Sequence, residues 1–167
     1  PNGLNVNDYP KSAPNPVTPL KSDKPVLLWV RAFDRIYRPQ LALNILKALK
    51  QSHPKAELFM LGPDKDGSLA SCQEFAKIHN LSVYFTGKLP KKEWTQRAAK
   101  ASVFLNTSAI DNAPVSVVEA MALGLPVVSS AVGGLKYLIE NERTGFLIPE
   151  ADEAQMTADF VTAIERI

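Results

Sequence analysis

The chain has 167 residues, 46% of them hydrophobic and 22% charged, with a formal net charge of +2. That length supports one domain with a core large enough to fold unaided, and a charge so near zero gives no reason to invoke nucleic acid or a membrane surface as partner. The single cysteine, Cys72, excludes an internal disulfide and suits a reducing compartment.

Residues 1–24 hold five of the thirteen prolines together with Asn, Ser and Lys, a composition that reads as a linker. The opening Pro1-Asn2-Gly3, without an initiator Met, reads as the middle of a longer protein, so the domain proper is expected over 25–167. Pro25 to Val30 is apolar throughout and suits a strand buried on both faces. Pro39 to about Gln51 places Leu41, Ile45, Leu46 and Leu49 at a helical period, with Pro39 in the first turn, where its missing N–H costs nothing. Ala56 to Leu61 reads as the second strand, and Ser68 to His79 as a helix with Ser68 as N-cap. Leu81 to Phe85 is the third strand, followed by a turn at Gly87 and a short helix from Lys91 to Lys100. Ser102 to Leu105 is the fourth strand, Pro114 to Leu123 a helix, and Pro126 to Ser129 the fifth strand. Leu135 to Glu140 is a short helix, Gly145 to Ile148 the last strand, and Asp152 to Ile167 a terminal helix without a C-cap.

Six short apolar strands alternating with helices predict a Rossmann-like α/β sandwich of three layers: a parallel sheet, helices on both faces, and a ligand crevice at the carboxyl ends of the strands. No apolar run reaches the roughly 18 residues of a membrane span, and no signal peptide is visible.

The residues that carry chemistry cluster after the fourth strand. With Pro114 at the first helical position and Ala113 a poor cap, the N–H groups of Val115, Ser116 and Val117 are expected to face outward, as an anion site or capped by water or Asn112. Glu119, about 7 Å along that helix axis, sits among Val117, Val118, Ala120, Met121 and Ala122. It is either a carboxylate on the solvent face or one satisfied by vicinal hydroxyls. Asp111 precedes the helix, where it can shape the loop as an Asx turn or bond a sugar hydroxyl. Gly133-Gly134 allows a tight turn or close backbone approach to a ligand. Arg31 ends the first strand, where a guanidinium can grip phosphate; Arg35, Arg38 and Lys88 are further candidates, each alternatively a solvated surface charge. His53 and His79 read as structural. No metal-ligand spacing, phosphate-cradling Gly-rich fingerprint or Ser-His-Asp arrangement appears.

Together these segments resemble the C-terminal half of group 1 (family 4) glycosyltransferases of the GT-B fold. Pro1-Asn2-Gly3 resembles the interdomain segment, Val30-Arg31 the Gly-Arg ending the first strand, and Phe85-Thr86-Gly87-Lys88-Leu89 the Phe-x-Gly loop. Asp111 to Glu119 resembles the paired-acid motif Glu-x7-Glu, with Asp in the first place. Glu119-Ala120-Met121-Ala122, Gly124-Leu125-Pro126-Val127-Val128, Gly133-Gly134 and Thr144-Gly145-Phe146-Leu147 continue the series.

The resemblance implies a hexosyltransferase-type activity: transfer from a nucleotide sugar, UDP favoured, with retention and with no metal or other cofactor. It implies ribose hydroxyls on Glu119 and donor sugar near Asp111 and the Asn112, Pro114 and Val115 loop. Diphosphate would lie on Arg31 and the Val115 and Ser116 N–H groups, and the base near Lys88 and Leu89. The acceptor, a glycan or lipid-linked sugar, would be held by an N-terminal domain absent from this chain. A cytoplasmic location follows, with contact at the inner membrane face left open. Two departures stand out. Relatives carry Lys five positions after the Arg, where this chain has Ile36, leaving Arg35 or Arg38 as substitutes; and Phe-Gly-Leu after the first acid reads Ala113-Pro114-Val115. A nucleotide-sugar 2-epimerase of the same fold and a non-catalytic GT-B-like domain are the alternatives.

Overall fold

The computed structural model describes residues 23–167; the linker expected over 1–24, apart from its last two residues, and the Pro1-Asn2-Gly3 segment lie outside the described residues. Six strands form one parallel sheet: β1 (Val26–Val30), β2 (Glu57–Leu61), β3 (Val83–Gly87), β4 (Val103–Asn106), β5 (Val127–Ser130) and β6 (Phe146–Ile148). Their spatial order is β3-β2-β1-β4-β5-β6, and every pairing is parallel. The chain builds outward from β1 in one direction and from β4 in the other. The topological switch therefore falls between β1 and β4, where such sheets open a crevice at their carboxyl ends.

Among the described residues six helices cover the two faces: α1 (Pro39–Leu49), α2 (Ser68–Ile78), α3 (Lys91–Ala98), α4 (Val115–Ala122), α5 (Leu135–Leu138) and α6 (Glu153–Glu165), with a 3-10 turn at Arg35–Tyr37. Side chains alternate along each strand, so five of the six strands feed two cores, while the edge strand β3 leaves Tyr84 45% exposed on its second face. Leu27, Trp29, Leu58, Met60, Val103, Leu105 and Val128 pack with α1 and α6. Leu28, Leu61, Phe104 and Val127 pack with Trp94 and Ala98 of α3, Val117 and Ala120 of α4 and Leu135 of α5. Burial on both faces explains why the strands read as continuous apolar runs.

Three local expectations are corrected. The N-cap position of α2 is Gly67, at φ 85°, not Ser68; the cap is supplied by Asp66, whose carboxylate accepts the Ser68 N–H at 3.0 Å. β3 starts two residues later than expected because Leu81 closes α2. Its N–H bonds the Ala76 carbonyl at 2.9 Å, across Asn80 at φ 50°, as in a Schellman stop. Gly124, at φ 71°, ends α4 the same way, with the Leu125 N–H on the Ala120 carbonyl at 3.0 Å. Pro114 is the N-cap of α4, in extended conformation, rather than its first residue. Its carbonyl accepts from Val117 at 3.0 Å, so Val117 is removed from the expected set of outward N–H groups.

Candidate functional site

Arg31 leaves β1 at the switch point, and its guanidinium Nη2 pairs with the Asp111 carboxylate from the loop after β4. Only 16% of the Arg31 side chain and 12% of the Asp111 side chain are exposed. Tyr37 lies under the guanidinium, 5.0 Å from its ring centroid. Burial lowers the Arg31 pKa, with Asp111 opposing; an arginine so placed keeps its charge. The backbone is locked as well. The Arg31 N–H bonds the Leu61 carbonyl at 3.0 Å, and a Cβ on Gly62 would stand 1.8 Å from the Arg31 carbonyl oxygen.

Asp111 is held by a buried polar network that sequence reasoning missed. The Ser108 hydroxyl reaches Asp111 Oδ2 at 3.2 Å and Asn106 Oδ1 at 2.9 Å. Asn106 Nδ2 donates to Ser129 Oγ at 3.0 Å, and Ser130 Oγ donates to the Ser108 carbonyl at 2.5 Å. All four side chains are fully buried. The available signal was polar residues, Asn106-Thr107-Ser108 and Ser129-Ser130, at the carboxyl ends of two otherwise apolar strands. Thr107 stitches the switch point itself, accepting from the Trp29 indole at 3.0 Å and donating toward the Tyr37 carbonyl at 2.7 Å.

The Gly133-Gly134 turn approaches this loop rather than open space. A Cβ on Gly133 would fall 1.9 Å from the Asp111 carbonyl oxygen, and one on Gly134 would fall 2.0 Å from that of Asn112. The Gly134 N–H bonds the Asp111 carbonyl at 3.2 Å. The two glycines thus let β5's loop press against the backbone that carries Asp111 and Asn112.

The N-terminus of α4 has no side-chain cap, so Asn112 does not fill that role. Two buried side-chain atoms have no partner among the described residues: Ser116 Oγ, at the second residue of this helix, and Arg31 Nε, at the end of β1. Glu119 is drawn in rather than solvated: 12% of its side chain is exposed, and Lys91 Nζ from the start of α3 stands 3.8 Å from its Oε1. A guanidinium, a helix end with outward N–H groups and an unpaired hydroxyl suit an anion. Two carboxylates nearby suit hydroxyl donors.

Other expected residues are spread more widely. Lys88 is exposed, and Leu89 packs on the α3–α4 core. Arg38 makes a bidentate pair with Glu150 at 2.8 and 3.0 Å, and Arg35 lies 3.9 Å from Asp66. Both line a separate cavity of about 330 Å³ with Ser68, Cys72 and Glu153. Neither is joined to Arg31 or Asp111 by an ion pair. Ile36 is 45% exposed, and its carbonyl accepts from the Ala109 N–H at 2.7 Å. His53 approaches Glu165 at 4.0 Å and His79 packs on Phe75 at 4.3 Å, away from the switch point. Among the described residues, no three His, Cys, Asp or Glu side chains gather as a metal site.

A family model described as glycosyl transferases group 1 matches residues 13–166. The chain belongs to the group 1 glycosyl transferases. Among curated members, it is 35% identical over 99 residues to the amylovoran biosynthesis glycosyltransferase AmsK of Erwinia amylovora, covering 56% of this chain and 22% of that protein. It is 31% identical over 115 residues to the sulfoquinovosyl transferase SQD2 of Arabidopsis thaliana, covering 66% of this chain and 22% of that one. The crystal structure of HepE from Anabaena, in complex with UDP and glucose, shares the fold with a TM-score of 0.73 at 22% identity, over 86% of this chain and 39% of that chain. This group 1 glycosyl transferase chain therefore spans well under half the length of these relatives. Among its described residues no helix is long and apolar enough to cross a membrane.

Proposed function

We propose that this chain is the donor-binding half of a glycosyltransferase that moves a sugar from a nucleotide sugar, with UDP favoured, to an acceptor held by a further domain. The observation that carries the reading is the Ser116 hydroxyl, buried without a partner among the described residues at the second residue of α4, whose N-terminus has no side-chain cap, together with the Arg31 Nε, likewise buried and unpartnered at the end of β1. Buried donors without partners are costly, and a diphosphate would satisfy them.

In this reading the Val115 and Ser116 N–H groups and Arg31 neutralise the charge that grows on the leaving diphosphate. Glu119 accepts the two ribose hydroxyls, the base lies over Lys88 and Leu89, and Asp111 receives a hydroxyl of the donor sugar. No metal is assigned a part. Transfer with retention, a glycan or lipid-linked acceptor and a cytoplasmic site complete the proposal. UDP-bound HepE, a structure of the same fold, supports the choice of uridine.

Titration calorimetry of this chain with UDP, GDP and ADP tests the reading. One wall of a two-domain cleft should bind UDP with a Kd of about 10 μM to 1 mM. Absence of heat with all three nucleotides at several millimolar would refute it. A radiolabelled-donor assay completes the test. Transfer to acceptor is expected only when the partner domain supplies the second wall and excludes water.

A further inference from the structure

Where relatives of this fold are expected to carry a second cation after Arg31, this chain has the apolar Ile36. Arg38 is tied to Glu150 and Arg35 lines a different cavity. The cation that does reach the acidic side of the site comes from another element. Lys91, the first residue of α3, stands 3.8 Å from Glu119 Oε1.

Both partners occupy places that are unfavourable alone. Lys91 puts a positive charge at the positive end of a helix whose N-cap, Pro90, offers no side-chain bond. Glu119 carries a carboxylate on a side chain of which 12% is exposed, on a helix whose neighbours Val117 and Ala120 are fully buried in the second core. Each charge offsets the cost of the other. The contact also has a direction: it joins the start of α3, just after the Phe85 to Leu89 loop, to the middle of α4.

We propose that Lys91 is a positioning residue for Glu119, orienting its carboxylate toward the ribose hydroxyls of the nucleotide and so setting the preference for ribose. The inference rests on the donor-site reading above, in which Glu119 meets the ribose. Lys91 itself need touch no reacting atom.

The test is calorimetry of the chain with UDP and with 2′,3′-dideoxy-UDP, which keeps base and diphosphate but lacks the hydroxyls. The readout is the ratio of the two affinities. Lys91→Met should shrink the parent's preference for UDP by about twofold to fivefold, within the range of a partly exposed ion pair, and leave dideoxy-UDP binding nearly unchanged. Lys91→Arg should restore the ratio. Lys92→Met removes the same charge from the next, exposed residue and should leave the ratio alone. Lys91→Gln serves as a second neutral variant, with thermal melts confirming that each is folded.

A Lys91→Met or Lys91→Gln chain that keeps the parent ratio, whatever its absolute affinity, overturns the inference. So does an equal effect of Lys92→Met, which would reduce Lys91 to general charge. Glu119→Gln separates the two levels. If it leaves the ratio intact, or if the parent binds neither nucleotide, the donor-site reading fails. If Glu119→Gln collapses the ratio and Lys91→Met does not, only the positioning role fails.

Discussion

Arg31 and Asp111, separated by eighty positions in the chain, form an ion pair across the one place where the sheet reverses its direction of growth. Asp111 is a hydroxyl-binding candidate and Arg31 a phosphate-binding one, so each holds the other in register before any ligand arrives. Arg31 Nη2 is engaged by Asp111, while its Nε is buried and has no partner among the described residues. A guanidinium has five N–H donors in a fixed fork, so it can keep the carboxylate and still accept an anion.

Replacing Arg31 with Met should weaken UDP binding about ten- to a hundredfold, the range of a lost charge-assisted hydrogen bond. Titration calorimetry measures it. UDP affinity within twofold of the parent would place the phosphates elsewhere.

Glu119→Gln should weaken UDP binding by about tenfold or more, whereas Asp111→Asn should leave it unchanged or slightly tighter. UDP carries the ribose assigned to Glu119 but no donor sugar for Asp111, and Asp111→Asn frees Arg31 from a competing carboxylate. The same Asp111→Asn chain should lose about 1 to 3 kcal/mol of stability, because a largely buried guanidinium loses its ion partner. Denaturant titration reads the stability and calorimetry the affinity. Equal affinity losses in the two variants would show the roles to be misassigned.

Gly133 and Gly67 both adopt positive φ, at 48° and 85°, so Ala at either costs about 1 to 2 kcal/mol in backbone strain. Only at Gly133 would the new Cβ also strike the Asp111 carbonyl; nothing lies within 4 Å at Gly67. Gly133→Ala should therefore lose roughly 2 kcal/mol more than Gly67→Ala, and UDP affinity should fall with it as the Asp111 loop is displaced. Urea melts of the pair check the difference. Equal losses would mean that the turn does not support the loop.

Cys72 is 1% exposed, and burial pushes its thiol up from 9.0 to about 11. The folded chain thus keeps a proton that the unfolded chain has released between those values. The contribution is fully present below pH 9.0 and is lost as pH rises toward about 11. Urea unfolding at pH 8 and pH 10.5 should show the parent losing more stability than Cys72→Ala over that step. In native buffer the thiol should react with a maleimide only as fast as the chain opens. Rapid labelling of the folded chain would contradict this placement.

The order of strands and helices along the chain and the burial of β1 on both faces were legible in the sequence. Each follows from local patterning: apolar runs for strands buried on both faces, the 3.6-residue period for α1, Gly124-Leu125-Pro126 for a helix stop and a new strand. Arg31, Asp111 and Glu119 were legible as candidates because each is a charged residue at an element end or in an apolar helix. Their partners were not. Nothing local tells that Asp111 meets Arg31 from eighty residues away, that Asn106, Ser108, Ser129 and Ser130 form one buried network, or that Lys91 reaches Glu119. Nor does it tell that Gly133-Gly134 turns toward the Asp111 loop, or that Arg38 is drawn to Glu150. Those outcomes depend on which strand ends lie side by side, and strand order is a long-range property. Sequence period decides which face of an element is buried; only the packed sheet decides which charges and hydroxyls then lie within bonding distance.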